Sequence, residues 1–386
     1  MTDILVVAHF FPYPPRHGSA VDIWGQILSL TALGYTVDLI ATDSKAPSEA
    51  NLAAVQTKVR NVWCLQRERR YRQALTLRPF QVESRRALRA VSLTDEYEWV
   101  LLETEYVADI LLNKSLKTKY CVLRVHNDEI RYYRELSKNC TDVAEKVLFF
   151  VDSVRFRFFL PSVWRKCRQL WFISDSELKH FVAKRPWDSG KAFFIPPRVD
   201  SLSMLTHHSN GMDVLFIGAL TRSMNVRGLR WYLTEVHPRI QVEGYRLVIA
   251  GYTGGDSIDW LQEICKMQPN IVTQSDVEDL GPLYRNSSVF VNPIFSGAGL
   301  KVKTINALEA GLPVVTTDVG AEGTGLRDGD HILIANSAEK FAKSVGTLLT
   351  DRVKSARLVR SAQAYLREAY DQEKLIASCL RALSPD

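Results

Sequence analysis

The sequence has no Cys-x-x-Cys pair, no Cys/His cluster at zinc spacing and no apolar run long enough to cross a bilayer. Its six cysteines (Cys64, Cys121, Cys140, Cys167, Cys265 and Cys379) are scattered, which implies free thiols in a reducing compartment. Thr2 to Ala8 is a short apolar run behind an acidic residue. It lacks the basic start and longer apolar region of a secretion signal. No short-period repeat is visible. No Asp-x-Asp stands at the end of an expected strand, so no metal site is implied. Charge of one sign is scarce: the net +6 is modest and no recognition motif accompanies it, so a nucleic-acid partner is not expected. The chain is otherwise ordinary globular material, 46% apolar and 24% charged, and 386 residues suggest two or three domains.

The order of elements is informative. Ile4 to Ala8 is a continuous apolar strand of the kind buried on both faces of a parallel sheet. A Pro-rich loop, His9 to Ser19, leads into a helix over Ala20 to Leu33 that ends at Gly34, and Val37 to Ala41 is the next strand. Strand, helix, strand implies a parallel α/β sheet. Further strands are expected at Trp99–Glu103, Tyr120–Val125, Leu170–Ile173 and Ala192–Ile195. Residues 201–211 are polar and read as a linker. The same plan then restarts, with strands at Asp213–Gly218, Arg246–Gly251, Ile271–Thr273 and Val289–Asn292. A loop is expected through Asn225 before a helix near Gly228, and 337–349 and 351–383 read as helices.

Ser296-Gly297-Ala298-Gly299-Leu300-Lys301-Val302-Lys303 stands between a strand and a helix. Glycines there let a backbone approach a ligand, and the first helical turn attracts anions. Lys301 and Lys303 diverge on a helix, so one of them meets the anion, and Lys301, nearer the helix start, is the expected one. The region 67–90 carries Arg67, Arg69, Arg70, Arg72, Arg78, Arg85, Arg86 and Arg89 against Glu68 and Glu83. With the Phe/Arg helix around Val147 to Arg168, it offers aromatic and cationic groups to an anionic membrane, a core helix with solvated arginines being the alternative.

Several stretches resemble the GT-B glycosyltransferases of the large family-four type, in the group with a Gly-Ala-Gly-x-Lys-x-Lys loop. They are Phe10 to Ser19, Phe172 to Glu177, Ile195 to Asp200, Phe216 to Leu220 with Asn225, and Asn292 to Gly323. The resemblance implies an α/β fold of two Rossmann-like domains facing across a cleft, with a C-terminal helix returning to the first. The domains would be 1–205 for the acceptor, 206–365 for the donor and 366–386 for that helix. It implies glycosyl transfer, with retention, from a nucleotide-diphosphate sugar of UDP or GDP type to a hydroxyl on a glycan, glycolipid or metabolite, with no other cofactor and no metal. The protein would be cytoplasmic, free or peripheral to the inner face of a membrane, and its acceptor a glycan or lipid-linked. Polysaccharide biosynthesis is a natural setting.

The resemblance also assigns residues. Gly18, Gly218, Arg222, Val277, Gly297, Gly299, Leu300, Lys301 and Asn306 would bind the donor, with Arg227 the nearest second cation to Arg222. His126, at a strand's carboxyl end, would serve catalysis, and His9 and Arg16 the acceptor. Two departures stand out. The family's paired glutamates are here Ala298 and Asn306, and Pro197-Arg198 replaces Asn-Gly. Asn306 can accept one hydrogen bond from a ribose but offers no charged, bidentate acceptor. A binding protein of this fold without turnover is therefore the alternative, and a nucleotide-sugar epimerase a third reading.

Overall fold

The computed structural model describes residues 3–15, 18–68, 76–140, 142–199, 211–253, 258–268, 270–277, 279–297 and 300–382. Arg16, His17, Ala298, Gly299 and most of the 201–211 linker lie outside them. The chain divides into two compact units, Met1–Arg198 with Asp371–Asp386, and Val199–Tyr370.

The first unit is a parallel sheet of seven strands: β1 (Asp3–Ala8), β2 (Thr36–Asp43), β3 (Val62–Gln66), β4 (Glu96–Glu103), β5 (Lys117–Val125), β6 (Gln169–Phe172) and β7 (Ala192–Phe194). Their order across the sheet is β3-β2-β1-β4-β5-β6-β7. Successive β1 side chains enter cores on opposite faces. Leu5 and Val7 pack with Val100, Leu102 and Leu123, while Ile4 and Val6 pack with Trp99, Leu101 and Val122. The helix Gln372–Arg381 completes the second of these cores with Ile376 and Leu380. Glu373 fixes it by accepting from Ser29 (3.0 Å) and Arg198 (2.9 Å).

The second unit is a parallel sheet of six: β8 (Asp213–Ile217), β9 (Arg246–Gly251), β10 (Ile271–Ser275), β11 (Val289–Asn292), β12 (Val314–Thr316) and β13 (Leu333–Ile334), ordered β10-β9-β8-β11-β12-β13. Asn225 lies inside a helix, Ser223–Trp231, and not in the expected loop. The expected single stretch 351–383 is two helices, Arg352–Ala369 and Gln372–Arg381. Asp371 caps the second by accepting from Lys374 N at 3.0 Å.

Gly228 shows how closely the Ser223–Trp231 helix sits on the sheet. A Cβ there would collide with the Pro293 carbonyl, just past β11. Gly228→Ala is therefore expected to destabilise the second unit by about 1–3 kcal/mol, the cost of overpacking. Gly346→Ala is the control. Its Cβ would meet only Val242 at 3.6 Å, and alanine within a helix is worth about 0.5–1 kcal/mol over glycine, so it should stabilise. Urea unfolding of both variants checks the opposite signs.

The described arginines of this region do not form a free cationic face. Arg78 and Arg89 pair with Asp109, Arg86 with Glu68, and Arg67 bonds Ser84 and Gln81. Arg85 is buried, donating to Thr42 Oγ1, the Gln81 carbonyl and the His9 carbonyl. Burial, with Arg67 nearby, lowers its pKa to about 9. The reason is local: Asp109 and Glu83 are buried and draw arginines inward. Arg69, Arg70 and Arg72 lie outside the described residues. No helix among those described is long and apolar enough to cross a membrane.

Candidate active site

In each sheet the strand order reverses at one point, and the crevice beyond the carboxyl ends there is where such sheets bind ligands. In the second unit that point lies between β8 and β11. Gly218 follows β8, and the loop Pro293–Lys301 follows β11.

Lys303 reaches this point from the helix Val302–Glu309. Its Nζ donates to the Ile217 carbonyl (3.2 Å) and to Asn225 Oδ1 (3.1 Å), and lies 5.1 Å from the centre of the Phe216 ring. Asn225 is itself held by donating to the Ala219 carbonyl at 2.9 Å. All of these partners are neutral. Burial, reinforced by Lys301, lowers the Lys303 pKa to about 7. Lys301, the expected anion ligand, turns back and donates to the Gly297 carbonyl at 3.0 Å. Gly297 holds φ +112°, a conformation that favours glycine.

The other expected donor residues are placed as follows. Leu300 is buried, and Asn306 is half-buried with no side-chain hydrogen bond among the described residues. Arg222, at the N-cap of its helix, and Arg227 are exposed. Val277 is half-buried just beyond β10, next to Asp276, which holds φ +52° and accepts from Thr253 N at 2.9 Å. Behind the helix start, Asn292 donates to Thr304 at 3.0 Å, and Thr304 donates to the Gly320 carbonyl at 3.2 Å. Asn292 Oδ1 is buried without a partner among the described residues.

In the first unit the reversal lies between β1 and β4. His9 follows β1, Glu103 ends β4 and His126 follows β5. His126 is 4% exposed, with Nε2 3.2 Å from Glu103 Oε2 and 3.6 Å from Asp22 Oδ2. Arg124, fully buried, donates to both oxygens of Asp22 at 2.9 and 2.6 Å. Asp22 comes from the helix Gly18–Ala32, whose first residue, Gly18, is exposed. His9 Nδ1 lies 3.0 Å from the Glu103 carbonyl, and the two imidazole centres are 6.1 Å apart. Thr104, next in the chain, holds φ +126°, a sparsely populated conformation that costs about 1–3 kcal/mol.

This arrangement has a definite chemical sense. A carboxylate beside His126 Nε2 selects the tautomer with the proton on that nitrogen. Nδ1 is then an acceptor, able to take a hydrogen bond or a proton from a hydroxyl. Asp22, Glu103 and His126 also bring one ligand atom each to within 4.8 Å of one another. Yet both Asp22 oxygens already accept from Arg124, whose guanidinium supplies the positive charge a metal would bring.

Glu103, Asp22 and Arg124 were not among the expected site residues. Arg124 had a readable signal, a cation inside the apolar run Cys121 to Val125, which must find a buried partner. Asp22 likewise lies on the same side of its helix as Ile23 and Gln26, all buried.

Residues 211–351 match the family model described as Glycosyl transferases group 1. A protein of Klebsiella pneumoniae, described as an uncharacterized 44.6 kDa protein in the cps region, is 31% identical over 394 residues. The match covers 99% of this chain and 100% of that protein. The second unit thus carries a group 1 glycosyltransferase domain. Solved structures share this glycosyltransferase's architecture at low identity. Sucrose-phosphate synthase of Thermosynechococcus elongatus aligns with a TM-score of 0.71 at 14% identity over 99% of both chains. A TarM variant of S. aureus, in complex with fondaparinux, alpha-GlcNAc-glycerol and UDP, aligns at 0.70 and 9% over 100% of both. HepE of Anabaena, in complex with UDP and glucose, aligns at 0.67 and 13% over 100% of both. The fold is GT-B.

Proposed function

We propose that this glycosyltransferase moves a sugar, with retention, from a UDP- or GDP-linked donor to a hydroxyl of a glycan or lipid-linked acceptor. It would act in the cytoplasm, as a step in building a surface polysaccharide. The observation that carries the reading is Lys303, a half-buried cation with only neutral partners among the described residues, at the switch point of the second sheet. A cation so placed lacks an anion, and a diphosphate supplies one. The neighbours add support: HepE and TarM were solved with UDP. A relative in a cps region fits polysaccharide assembly. The loop Gly297 to Lys303 fits the Gly-Ala-Gly-x-Lys-x-Lys subgroup.

In this reading Lys303 neutralises charge on the leaving diphosphate. Gly218, Gly297 and Leu300 shape the loops around it, Gly299 is a further donor contact, Asn306 accepts from the ribose, and Arg222 approaches from the exposed helix start. Gly18 offers its backbone to the donor and Val277 lies by the nucleobase. His126 takes a substrate hydroxyl on Nδ1, with Glu103 as positioning residue, and His9 and Arg16 border the acceptor.

Calorimetric titration with UDP and GDP tests the donor site, and absence of heat for both at millimolar concentration would sink it. A screen of nucleotide sugars for transfer or hydrolysis then names the donor. His126→Ala should lower turnover by about 10²-fold, the low end for a lost acid–base group, with nucleotide affinity kept. Equal loss of both would count against the assignment. Asn306 favours a second reading, a nucleotide-binding protein without turnover. It is adopted if UDP or GDP binds and no sugar in the screen is transferred or hydrolysed.

A further inference from the structure

The helix Val143–Lys166 is apolar on two opposite sides. One side is core: Phe156, Leu160 and Val163 are buried, with Asp152 and Ser153. The other faces solvent. Val143 is 74% exposed, Val147 57%, Phe150 57%, Val154 38% and Phe158 77%. At about 100° per residue these five positions fall within about 80° of arc, and they run about 22 Å along the axis. A single exposed apolar residue needs no explanation, but an aligned row of five marks an interaction surface.

Apart from Asp142, which caps the helix's amino end, the helix charges that border the row are of one sign. Lys146, Arg157 and Arg165 are exposed and border the same arc, and none makes an ion pair among the described residues. The helix's acids, Glu145 and Asp152, lie outside it. At the carboxyl end the surface gains an aromatic. Arg185 lies 5.1 Å from the Trp164 ring centre and 5.3 Å from that of Trp187, which is 73% exposed. Trp and Phe flanked by arginine and lysine are the composition of a helix that rests in a bilayer interface. A second copy of the chain fits poorly, because it would bring three more cations against these three.

We propose that this face docks on an anionic lipid bilayer, with Val147, Phe150, Val154 and Phe158 entering the headgroup boundary. Lys146, Arg157 and Arg165 meet the lipid phosphates, and Trp187 anchors the carboxyl end. The helix lies in the plane of the surface and does not span it. This docking does not rest on the reading of the nucleotide site, and it stands whether or not the enzyme turns over.

Co-sedimentation with phosphatidylcholine vesicles, with and without phosphatidylglycerol, tests it. The chain should bind the anionic vesicles in preference, less so at high salt. Arg157→Gln and Arg165→Gln should each cost roughly fivefold in partitioning, the worth of one cation near such a surface. Phe150→Asp with Phe158→Asp should remove binding, while the unfolding midpoint and nucleotide affinity stay those of the parent. Four results would overturn the docking. One is no binding to anionic vesicles at low salt, and another is equal binding to neutral ones. A third is binding untouched by the double aspartate variant. The last is a dimer that this variant dissolves while the parent ignores vesicles.

Discussion

Lys303→Met is expected to weaken UDP binding by about 10²- to 10³-fold, within the range for removing one partner of a buried charged contact. The geometry behind this is specific. The ammonium is fixed by the Ile217 carbonyl and by Asn225, two acceptors that position it without neutralising it. Desolvation and the nearby Lys301 already cost the charged form enough to bring its pKa to about 7. A diphosphate restores the charge, so binding above neutrality must take up a proton. Affinity should therefore fall as pH rises from about 7, by up to about tenfold per unit. The free protein should show the opposite trend. Its folded pKa lies below the unfolded 10.5, so between about 7 and 10.5 the unfolded chain binds more protons and stability rises with pH. Lys303→Arg keeps the charge at every pH and should flatten both slopes. Calorimetry in buffers of different ionisation heat reads the proton directly. A flat affinity between pH 7 and 9 in the parent would refute Lys303 as the diphosphate ligand. Lys301→Ala should matter less, since its ammonium is spent on the Gly297 carbonyl.

The contrast between those two lysines shows where sequence reading stops. Most strands were legible as apolar runs buried on both faces, as Ile4 to Ala8 and Val289 to Val291 are, but β3, with Cys64 and Gln66 exposed, and the two-residue β13 carry no such signal and were not expected. The Gly297 loop was legible because glycine, strand and helix follow one another in the chain. Which lysine is held at the switch point is decided elsewhere, by the Ile217 carbonyl and Asn225, 86 and 78 residues away. The arginines of 67–90 looked like a surface for the same reason: nothing nearby in sequence announces Asp109, which takes two of them. The Val143–Lys166 helix gave the opposite difficulty. Its two apolar faces are equivalent in sequence, and only the structure shows which one the core covers.

Arg124→Met is expected to destabilise the first unit by about 3–5 kcal/mol, the cost of breaking a buried pair and leaving its partner charged. Arg124 and Asp22 are both at most 1% exposed, and they are joined by two hydrogen bonds between β5 and the Gly18–Ala32 helix. The methionine itself fits the space of the arginine stem, so volume is not the cause. The cause is Asp22, left in the interior without its partner, with Glu103 nearby and no guanidinium between them. Arg124→Met combined with Asp22→Leu removes both charges, and such exchanges in other proteins are neutral or stabilising. The double variant should therefore recover most of the loss, giving a large coupling in the double-mutant cycle. Urea midpoints of the parent, both single variants and the double measure it, and an additive cycle would refute the pairing. Activity should behave differently from stability. The double variant changes the charges beside Glu103 and His126, so a protein restored in fold should still be impaired in turnover. Recovery of both together would mean that the pair only holds the helix to the sheet and has no part in setting the histidine.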